Sequence, residues 1–312
     1  MRLDGTHRSA VIEIGANRSG DVAELVAFVK PTVAIVTNAG AEHLEGFGDL
    51  DGVARGEGEA IATLGHSGTA IINADDPYAA LWRGVASKSK IVSFGIKSPA
   101  DFTAKNSAQT IEGGHFATRF TLLTPDGERD VLLRAGGAHN LTNAVAAAAA
   151  ARAAGATLDA CVQGLESFRA VAGRLQLKAG LRNSWIIDDS YNANPSSVRA
   201  GLDVLRGVGG VTWMVLGDMA ELGDHAVQSH VQAGEYAREC GVKRLFAIGP
   251  ESSRAAESFG AGAEWFPDAD SLIRRLTAEV APGVTLLIKG SRVNRLERVV
   301  QALVVRGAGG VN

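Results

Sequence analysis

Cysteine, net charge and long apolar runs are all scarce in this sequence, and each shortage excludes a class of protein. Cys161 and Cys240 are the two cysteines among 312 residues, and they lack metal-type spacing, so we expect a reduced, cytoplasmic protein. The formal net charge of −3 argues against a nucleic-acid-binding surface. No apolar run reaches the roughly 18 residues of a membrane-spanning helix, and the polar first ten residues do not resemble a signal peptide.

Familiar catalytic and nucleotide-binding motifs are also missing. The dipeptide Gly-Lys occurs nowhere, so the sequence has no GxxxxGKS/T phosphate loop, and no GxGxxG pattern follows an early strand. No Ser-His-Asp or Cys-His triad stands out. Hydrophobic residues make up 46% and charged residues 21%, which is the balance of a globular protein long enough for two domains. Function therefore has to be sought in less common patterns.

The first half of the chain alternates short β-branched runs with Ala-rich segments, which is typical of a βαβ sheet. The predicted strands are 10–14, 33–37, 69–73 and 90–94, and the predicted helices are 20–29, 52–64, 140–154 and 158–168. Residues 101–133 instead alternate polar and apolar side chains, and Pro125-Asp126-Gly127 predicts a hairpin turn among them.

The pattern restarts near residues 171–175, which predicts a domain boundary between 172 and 173. Four strands are predicted beyond it, at 185–188, 212–216, 244–248 and 284–288. Helices are predicted at 196–205, 225–240, 252–259, 269–279 and 292–305. The expected fold is α/β, with domains at 1–172 and 173–312, the second a doubly wound Rossmann-like domain.

Polar side chains interrupt or follow the apolar strands of the first half. Glu13 lies inside a predicted strand, where a buried carboxylate needs a cation or several donors; otherwise it faces solvent. Asn38 and His43 come after strand 33–37, at the edge where parallel sheets bind ligands. Together with neighbouring carboxylates they could bind Mg²⁺, although a loop histidine can also be merely solvated.

Three strands of the second half are also followed by polar segments, namely DDSYNANP (188–195), LGDMAELG (216–223) and KGSR (289–292). The carboxylates and amides of the first segment suit sugar hydroxyls or phosphate-bound water, and they also suit an ordinary helix cap. In the last segment, Lys289 and Arg292 stand beside a predicted helix N-terminus, where an anion could dock.

Two further segments favour nucleotide binding, each with a simpler alternative. The helix start GGAHN (136–140) could offer His139 and Asn140 to a planar base, or be a plain loop. Arg174 lies in the predicted linker, where a cation could reach a phosphate when two domains close. As an isolated residue it could equally form a surface ion pair.

Taken together, these segments resemble the Mur ligases of peptidoglycan synthesis. The matching strings run in the family's order along nearly the whole chain: EIGAN (13–17), NAGAEHLEGFG (38–48), INADD (72–76), GAHNLTNAVAAAA (137–149), AVAGRL (170–175), DDSYNANPSS (188–197), LGDMAELG (216–223) and KGSR (289–292). DDSYNANP with LGDMAELG resembles the branch that adds D-alanyl-D-alanine. The DNPR-type motif of the branch that adds the third amino acid is absent.

The resemblance implies a domain organisation and a reaction. Residues 1–172 resemble the central ATP-binding domain after its phosphate loop, and 173–312 resemble the whole C-terminal domain, so the family's N-terminal domain and phosphate loop are missing. The implied enzyme is a cytoplasmic, monomeric ligase that uses ATP and Mg²⁺. It phosphorylates the terminal carboxylate of UDP-N-acetylmuramoyl-tripeptide, and the amine of D-alanyl-D-alanine then attacks the acyl phosphate.

We expect the chain by itself to be inactive, because the phosphate loop holds the β- and γ-phosphates. Two alternatives remain open. One is a related amino-acid ligase of the folylpolyglutamate or cyanophycin type. The other is a non-catalytic remnant of a ligase, which the missing phosphate loop would explain.

The resemblance also implies roles for individual residues. Metal ligands would be Glu13, His43 and Glu57; nucleotide contacts would be Asn38, His139, Asn140, Arg174 and Asp189; substrate contacts would be Tyr191, Asn194, Asp218 and Lys289. His43, Glu57, Arg174 and Lys289 would take part in catalysis.

Position 57 departs from the family, which usually has a carbamylated lysine there. This chain reads Gly56-Glu57-Gly58-Glu59, and Glu57 already supplies the carboxylate that Mg²⁺ prefers. The alternative is a solvated glutamate beside Arg55.

Overall fold

A computed structural model describes residues 3–40 and 44–305, which form two α/β units joined near residue 172. His43, predicted as a metal ligand, lies outside the described residues. No helix in the described ranges is both long enough and apolar enough to cross a membrane.

The first unit contains a parallel sheet and an antiparallel sheet of three strands each. The parallel sheet has the order β1-β2-β3 and consists of β1 (Val33–Val36), β2 (Thr69–Asn73) and β3 (Lys90–Phe94). The antiparallel sheet consists of β4 (Thr103–Glu112), β5 (His115–Thr124) and β6 (Gly127–Leu133). The helices are α1 (Asp21–Val29), α2 (Leu44–Phe47), α3 (Leu50–Ala62), α4 (Ala79–Val85), α5 (Ala138–Ala153) and α6 (Leu158–Ser167).

Local sequence accounts for most of these elements. Every residue of β2 is buried, because a central parallel strand has both faces covered and so lacks polar alternation. Helix α3 begins after Asp49, whose carboxylate accepts a hydrogen bond from the Gly52 N–H at 2.6 Å. The predicted hairpin turn joins β5 to β6, as the Pro-Asp-Gly sequence indicates.

The strand predicted at 10–14 was wrong. These residues have no regular secondary structure, and Val11 is fully exposed. A strand is stabilised by a ladder of hydrogen bonds with a neighbour, and no described residue pairs with this segment. Alternating hydrophobicity alone therefore did not suffice to form it.

The second unit is a six-stranded sheet in the order β11-β10-β9-β12-β8-β7, with helices between its strands. Its strands are β7 (Gln176–Ala179), β8 (Trp185–Asp189), β9 (Val211–Gly217), β10 (Arg244–Ile248), β11 (Ala263–Phe266) and β12 (Val284–Lys289). Its α-helices are α7 (Pro195–Val208), α8 (Ala226–Glu239), α9 (Ser252–Phe259), α10 (Ala269–Glu279) and α11 (Glu297–Leu303). All pairings are parallel except that of β7 with β8, which confirms the doubly wound prediction.

Two details of the second unit differ from the sequence prediction. Six strands form, whereas four were predicted. The prediction missed β7 and β11 because they are edge strands of only four residues with mixed polarity. The helix predicted at 292–305 is replaced by a 3₁₀ turn, Arg292–Asn294, followed by α11. The left-handed backbone of Arg295, with φ of 49°, separates them.

An apolar contact and a bonded linker join the two units. Phe116 of β5 packs into the core of the second unit with Leu175 and Leu177. In the linker, Gly173 adopts φ of +71°, and its carbonyl accepts a hydrogen bond from the Tyr191 N–H at 3.1 Å. The linker therefore packs directly on the loop that follows β8.

Candidate functional site

The centre of the site is a buried ion pair at the carboxyl ends of two neighbouring strands. Asp189 ends β8, Lys289 ends β12, and the two residues are paired in register. The Lys289 ammonium donates to Asp189 Oδ2 at 2.6 Å and to the Asn192 carbonyl at 2.9 Å. Lys289 is only 2% exposed. This pair stands where open α/β sheets bind ligands, so both residues lie where the sequence predicted a site.

A second carboxylate pairs with a lysine beside it. Asp188 accepts a hydrogen bond from the Lys178 ammonium at 2.5 Å and another from the Ser190 hydroxyl at 2.6 Å. Sequence analysis missed Lys178, since its strand β7 was not predicted. The alternating polar residues of Gln176–Ala179 were the available signal.

His139, in the first turn of α5 of the first unit, lies near this ion pair. Burial lowers the pKa of its imidazole below the ordinary value; the charge of Asp189 opposes this shift, and that of Lys289 adds to it. The neutral ring has one donor and one acceptor, which suits hydrogen bonding to a base or a hydroxyl. Asn140 follows in the first turn of α5, where its amide donates to the Gly136 carbonyl at 2.7 Å.

Two guanidinium groups lie against the ring of Tyr191. The Cζ atom of Arg174 is 4.6 Å from the ring centroid, and that of Arg292 is 5.5 Å from it. Tyr191 as a whole residue is 43% exposed. The linker cation predicted to reach phosphate is therefore held at the same edge of the sheet as Lys289.

Asn194 and Asp218 each bind the first turn of a helix near this edge. Asn194 caps α7 by accepting from the Ser197 N–H at 2.7 Å, which confirms the helix-cap interpretation of its segment. Asp218 Oδ1 accepts from both the N–H and the hydroxyl of Ser252, each at 2.7 Å, at the start of α9. Both side chains thus fix local backbone in addition to any contact with substrate.

The residues predicted to lie around magnesium in the first unit come from three separate segments. Glu13 and Asn38 are exposed in irregular segments, and Glu57 is partly buried in α3. Within residues 3–40 and 44–305, no three His, Cys, Asp or Glu side chains are grouped as a metal site requires. The described residues alone therefore form no such group, and the third predicted ligand, His43, lies outside them.

A cavity of about 530 Å³ opens between the two units beside β7. Its lining includes four basic side chains, His115, Arg134, Arg169 and Lys178, and no acidic one among the residues that the structure describes. It borders the site through Leu175, whose N–H donates to Asp189 Oδ1 at 3.2 Å. The junction therefore presents a basic lining next to the buried ion pair.

Two protein-family models match the chain, in the same order as its two units. The family model described as the Mur ligase middle domain matches residues 2–151. The model described as the Mur ligase, glutamate ligase domain matches residues 173–292. Together the two models cover most of the chain.

Individual relatives share both sequence and fold. A UDP-N-acetylmuramoyl-tripeptide–D-alanyl-D-alanine ligase of Escherichia coli is 43% identical over 98% of this chain, which spans 68% of that relative. A crystal structure of MurF from Acinetobacter baumannii superposes with a TM-score of 0.88 at 33% identity, over 96% of this chain and 65% of that one. A MurF ligase of Thermotoga maritima, crystallised with ADP, has a TM-score of 0.81 at 27% identity, over 93% and 65% of the two chains. The chain spans about two thirds of the length of these relatives, and it belongs to the Mur ligase family.

Proposed function

We propose that this chain supplies the ATP-binding and ligase units of an enzyme that joins D-alanyl-D-alanine to UDP-N-acetylmuramoyl-tripeptide. The observation that carries the proposal is the buried Asp189–Lys289 pair, with Arg174 beside it, in a chain that matches both family domains. The 43% identity to a ligase named for this reaction supports the choice of substrates.

The nucleotide is ATP, placed at the junction of the two units. His139 and Asn140 face the base, and Asp189 binds a ribose hydroxyl, since a carboxylate with about four lone-pair sites retains acceptor capacity beyond Lys289 and Leu175. Arg174 and Asn38 contact phosphate oxygens. The ADP crystallised with the Thermotoga maritima relative supports a nucleotide site in this fold.

The reaction has two balanced steps. A carboxylate oxygen of the tripeptide takes the γ-phosphoryl group and ADP leaves; the dipeptide amine then attacks the acyl carbon, loses a proton and expels phosphate. Lys289 is a fixed and buried cation beside the site, where it offsets the negative charge that gathers on the oxygens. Tyr191, Asn194 and Asp218 line the side on which the dipeptide binds.

Magnesium accompanies the nucleotide in this proposal. Glu13, His43 and Glu57 stay predicted ligands, and a bound Mg²⁺ would neutralise phosphate charge. Monomeric assembly also stays a prediction, which light scattering can check.

The test is a fusion in which the N-terminal third of the Escherichia coli relative precedes this chain. Phosphate release is measured with ATP, UDP-N-acetylmuramoyl-tripeptide and D-alanyl-D-alanine, and again with the dipeptide omitted. We expect release that depends on both substrates, at about 1 s⁻¹ or faster, the low end of ordinary enzymes. The 312-residue chain alone should show no such turnover.

Substrate replacement separates this proposal from other ligases. A folded fusion that is inactive with D-alanyl-D-alanine but active with glutamate or another amino acid would contradict the assigned substrate. A folded fusion that binds ADP but releases no phosphate with any of these amines would contradict the proposal that the chain forms part of a catalyst. Circular dichroism and a cooperative thermal melt establish that the fusion is folded.

A further inference from the structure

The two arginines that contact Tyr191 differ from many other surface arginines of this chain. Arg254 and Arg298 pair with carboxylates at 3.2 and 2.8 Å. Within the described residues, by contrast, Arg174 and Arg292 form no ion pair with any carboxylate, although both are exposed. Two like charges thus share one aromatic ring beside the buried Lys289, which leaves a local excess of positive charge.

Arg174 is presented by a turn that is fixed on both sides. The Tyr191 N–H donates to the Gly173 carbonyl at 3.1 Å, and the Leu175 N–H donates to the Asp189 carboxylate at 3.2 Å. A Cβ atom at Gly173 would lie 3.1 Å from Tyr191 N, so this close approach requires glycine. The backbone of Arg174 is therefore held against the loop that carries the tyrosine.

Arg292 is presented by a second fixed turn. The Asp218 carbonyl accepts hydrogen bonds from the Ser291 N–H at 2.9 Å, the Ser291 hydroxyl at 2.6 Å and the Asn294 amide at 2.9 Å. A Cβ atom at Gly290 would lie 2.9 Å from the Gly217 Cα atom, so the turn packs tightly on the end of β9. Arg292 projects from a rigid base, with the Tyr191 ring as its aromatic contact.

Such an arrangement is suited to binding an oxyanion. Guanidinium groups bind carboxylate and phosphate oxygens with paired N–H donors, and stacking on an aromatic ring orients their planes before a ligand arrives. Because each guanidinium already contacts the Tyr191 ring, less side-chain freedom is lost on binding than for an arginine without a contact. An anion bound at this ring also offsets the positive charge of the two arginines that contact it.

We propose that Arg174, Tyr191 and Arg292 form an oxyanion clamp, in which Arg292 binds a substrate oxyanion and Tyr191 is a positioning residue for both arginines. The clamp rests on the proposed function and deepens it by adding a binding residue. Two substrate groups share the required chemistry: the diphosphate of the nucleotide and the carboxylate of D-alanyl-D-alanine.

Calorimetric titration of the 312-residue chain tests the clamp. The ligands are ADP, inorganic pyrophosphate, D-alanyl-D-alanine and its C-terminal amide, which lacks the carboxylate. Arg292→Gln should weaken binding of the ligand it contacts roughly ten- to hundred-fold, as expected for a lost charged hydrogen bond. Arg298→Gln, in the same unit but paired with Asp270, is the matched control and should change nothing.

The pattern of losses identifies the source of the oxyanion. Weaker binding of ADP and pyrophosphate with unchanged dipeptide binding assigns Arg292 to phosphate. If Arg292 instead contacts the carboxylate, the wild-type chain prefers the dipeptide to its amide, and Arg292→Gln abolishes that preference.

Tyr191 variants test the positioning role. Tyr191→Phe keeps the ring and should bind as the wild type does, whereas Tyr191→Leu should weaken the same ligand as Arg292→Gln with an unchanged melting temperature. Equal binding by the Phe and Leu variants would contradict the positioning role.

Two results overturn the clamp as a whole. Either the wild-type chain binds none of the four ligands, or Arg292→Gln and Arg298→Gln bind all of them equally. Neither result depends on turnover by the fusion protein, so the clamp and the ligase assignment can fail separately. Pyrophosphate serves as the probe that does not presuppose the ligase reaction.

Discussion

The ammonium group of Lys289 is held by two oxygens in a position that water hardly reaches. Replacing it by methionine leaves the Asp189 carboxylate buried with the Leu175 N–H as its one remaining donor among the described residues, so Lys289→Met should lower the free energy of unfolding by about 3–5 kcal/mol. Lys105→Met removes an exposed ion pair with Glu128 and should cost at most about 1 kcal/mol. Urea denaturation followed by circular dichroism measures both; equal losses would show that burial of the pair does not matter.

His139 gives the unfolding free energy a predictable pH dependence. Burial lowers its folded-state pKa below the unfolded value of about 6.5, so protons bind the unfolded chain more readily. Its contribution to stability is therefore present above that pH and is lost as the pH falls through the lowered pKa. Thermal melts between pH 8 and pH 5 should show a smaller acid-induced loss for His139→Gln than for the wild type. Parallel curves for the two proteins would contradict this assignment.

Glu57 tests whether a native carboxylate can replace the family's carbamylated lysine. It lies in α3, at a point where Gly56 packs tightly on the Phe47 ring, so the helix is closely packed here. In the fusion protein, Glu57→Gln keeps the side-chain shape but removes the charge, and we expect a large loss of turnover. Stripping bicarbonate from the wild type should have no effect. A fully active Glu57→Gln enzyme would refute the metal role.

At the scale of elements, the linker turn should be sensitive to a single added methyl group. Gly173→Ala places a Cβ atom 3.1 Å from Tyr191 N in a left-handed backbone, so it should destabilise the protein by about 1–3 kcal/mol. The matched control is Gly164→Ala, within α6 and with no atom near its added methyl group, which should stabilise by about 0.5–1 kcal/mol. Differential scanning calorimetry compares them, and the same sign for both variants would exclude the steric explanation.

Strand prediction from sequence succeeded where an apolar run is both buried and closed by turns. Strands 69–73, 90–94 and 244–248 were predicted with the bounds that the structure gives. The missed strands β7 and β11 are short edges, whose formation depends on a neighbour that local sequence does not reveal. For the same reason, segment 10–14 has the right alternation without becoming a strand.

The sequence predicted where the site lies better than it predicted which side chains contact one another there. Because strand ends meet at one edge of a parallel sheet, local motifs indicated that Asp189 and Lys289 would lie at one edge. Arg174 was predicted to reach a phosphate from its place in the linker. The pairing of Lys178 with Asp188, and the stacking of Arg292 on Tyr191, depend on residues far apart in sequence. Side-chain partners of this kind are fixed by tertiary packing, which periodicity does not encode.

At the scale of the whole molecule, the two units should differ in independent stability. The second contains a complete six-stranded sheet covered by helices, whereas the first divides its strands between two small sheets and places Phe116 in the other unit's core. We expect the fragment 173–312 to melt cooperatively by itself and the fragment 1–172 to melt at a lower temperature. A cooperative melt of the full chain with none for 173–312 would contradict this.

The bonded linker also decides which part of the chain can act as a hinge. Residues 173–175 are attached to the loop after β8, so Arg174 must travel with the second unit as part of one rigid body. The Gln176 amide donates to the Ala170 carbonyl at 2.8 Å and the Arg174 N–H donates to the Val171 carbonyl at 3.0 Å, so these residues are also bonded to the second unit. The Arg169 guanidinium holds the carbonyls at the end of α6, so any rotation falls mainly on the dihedral angles near residue 169. During such a rotation the distance from Arg174 to Asp189 stays constant, while its distance to His139 changes. Arg174 therefore moves with the second unit, and the pivot of the rotation lies a few residues before it.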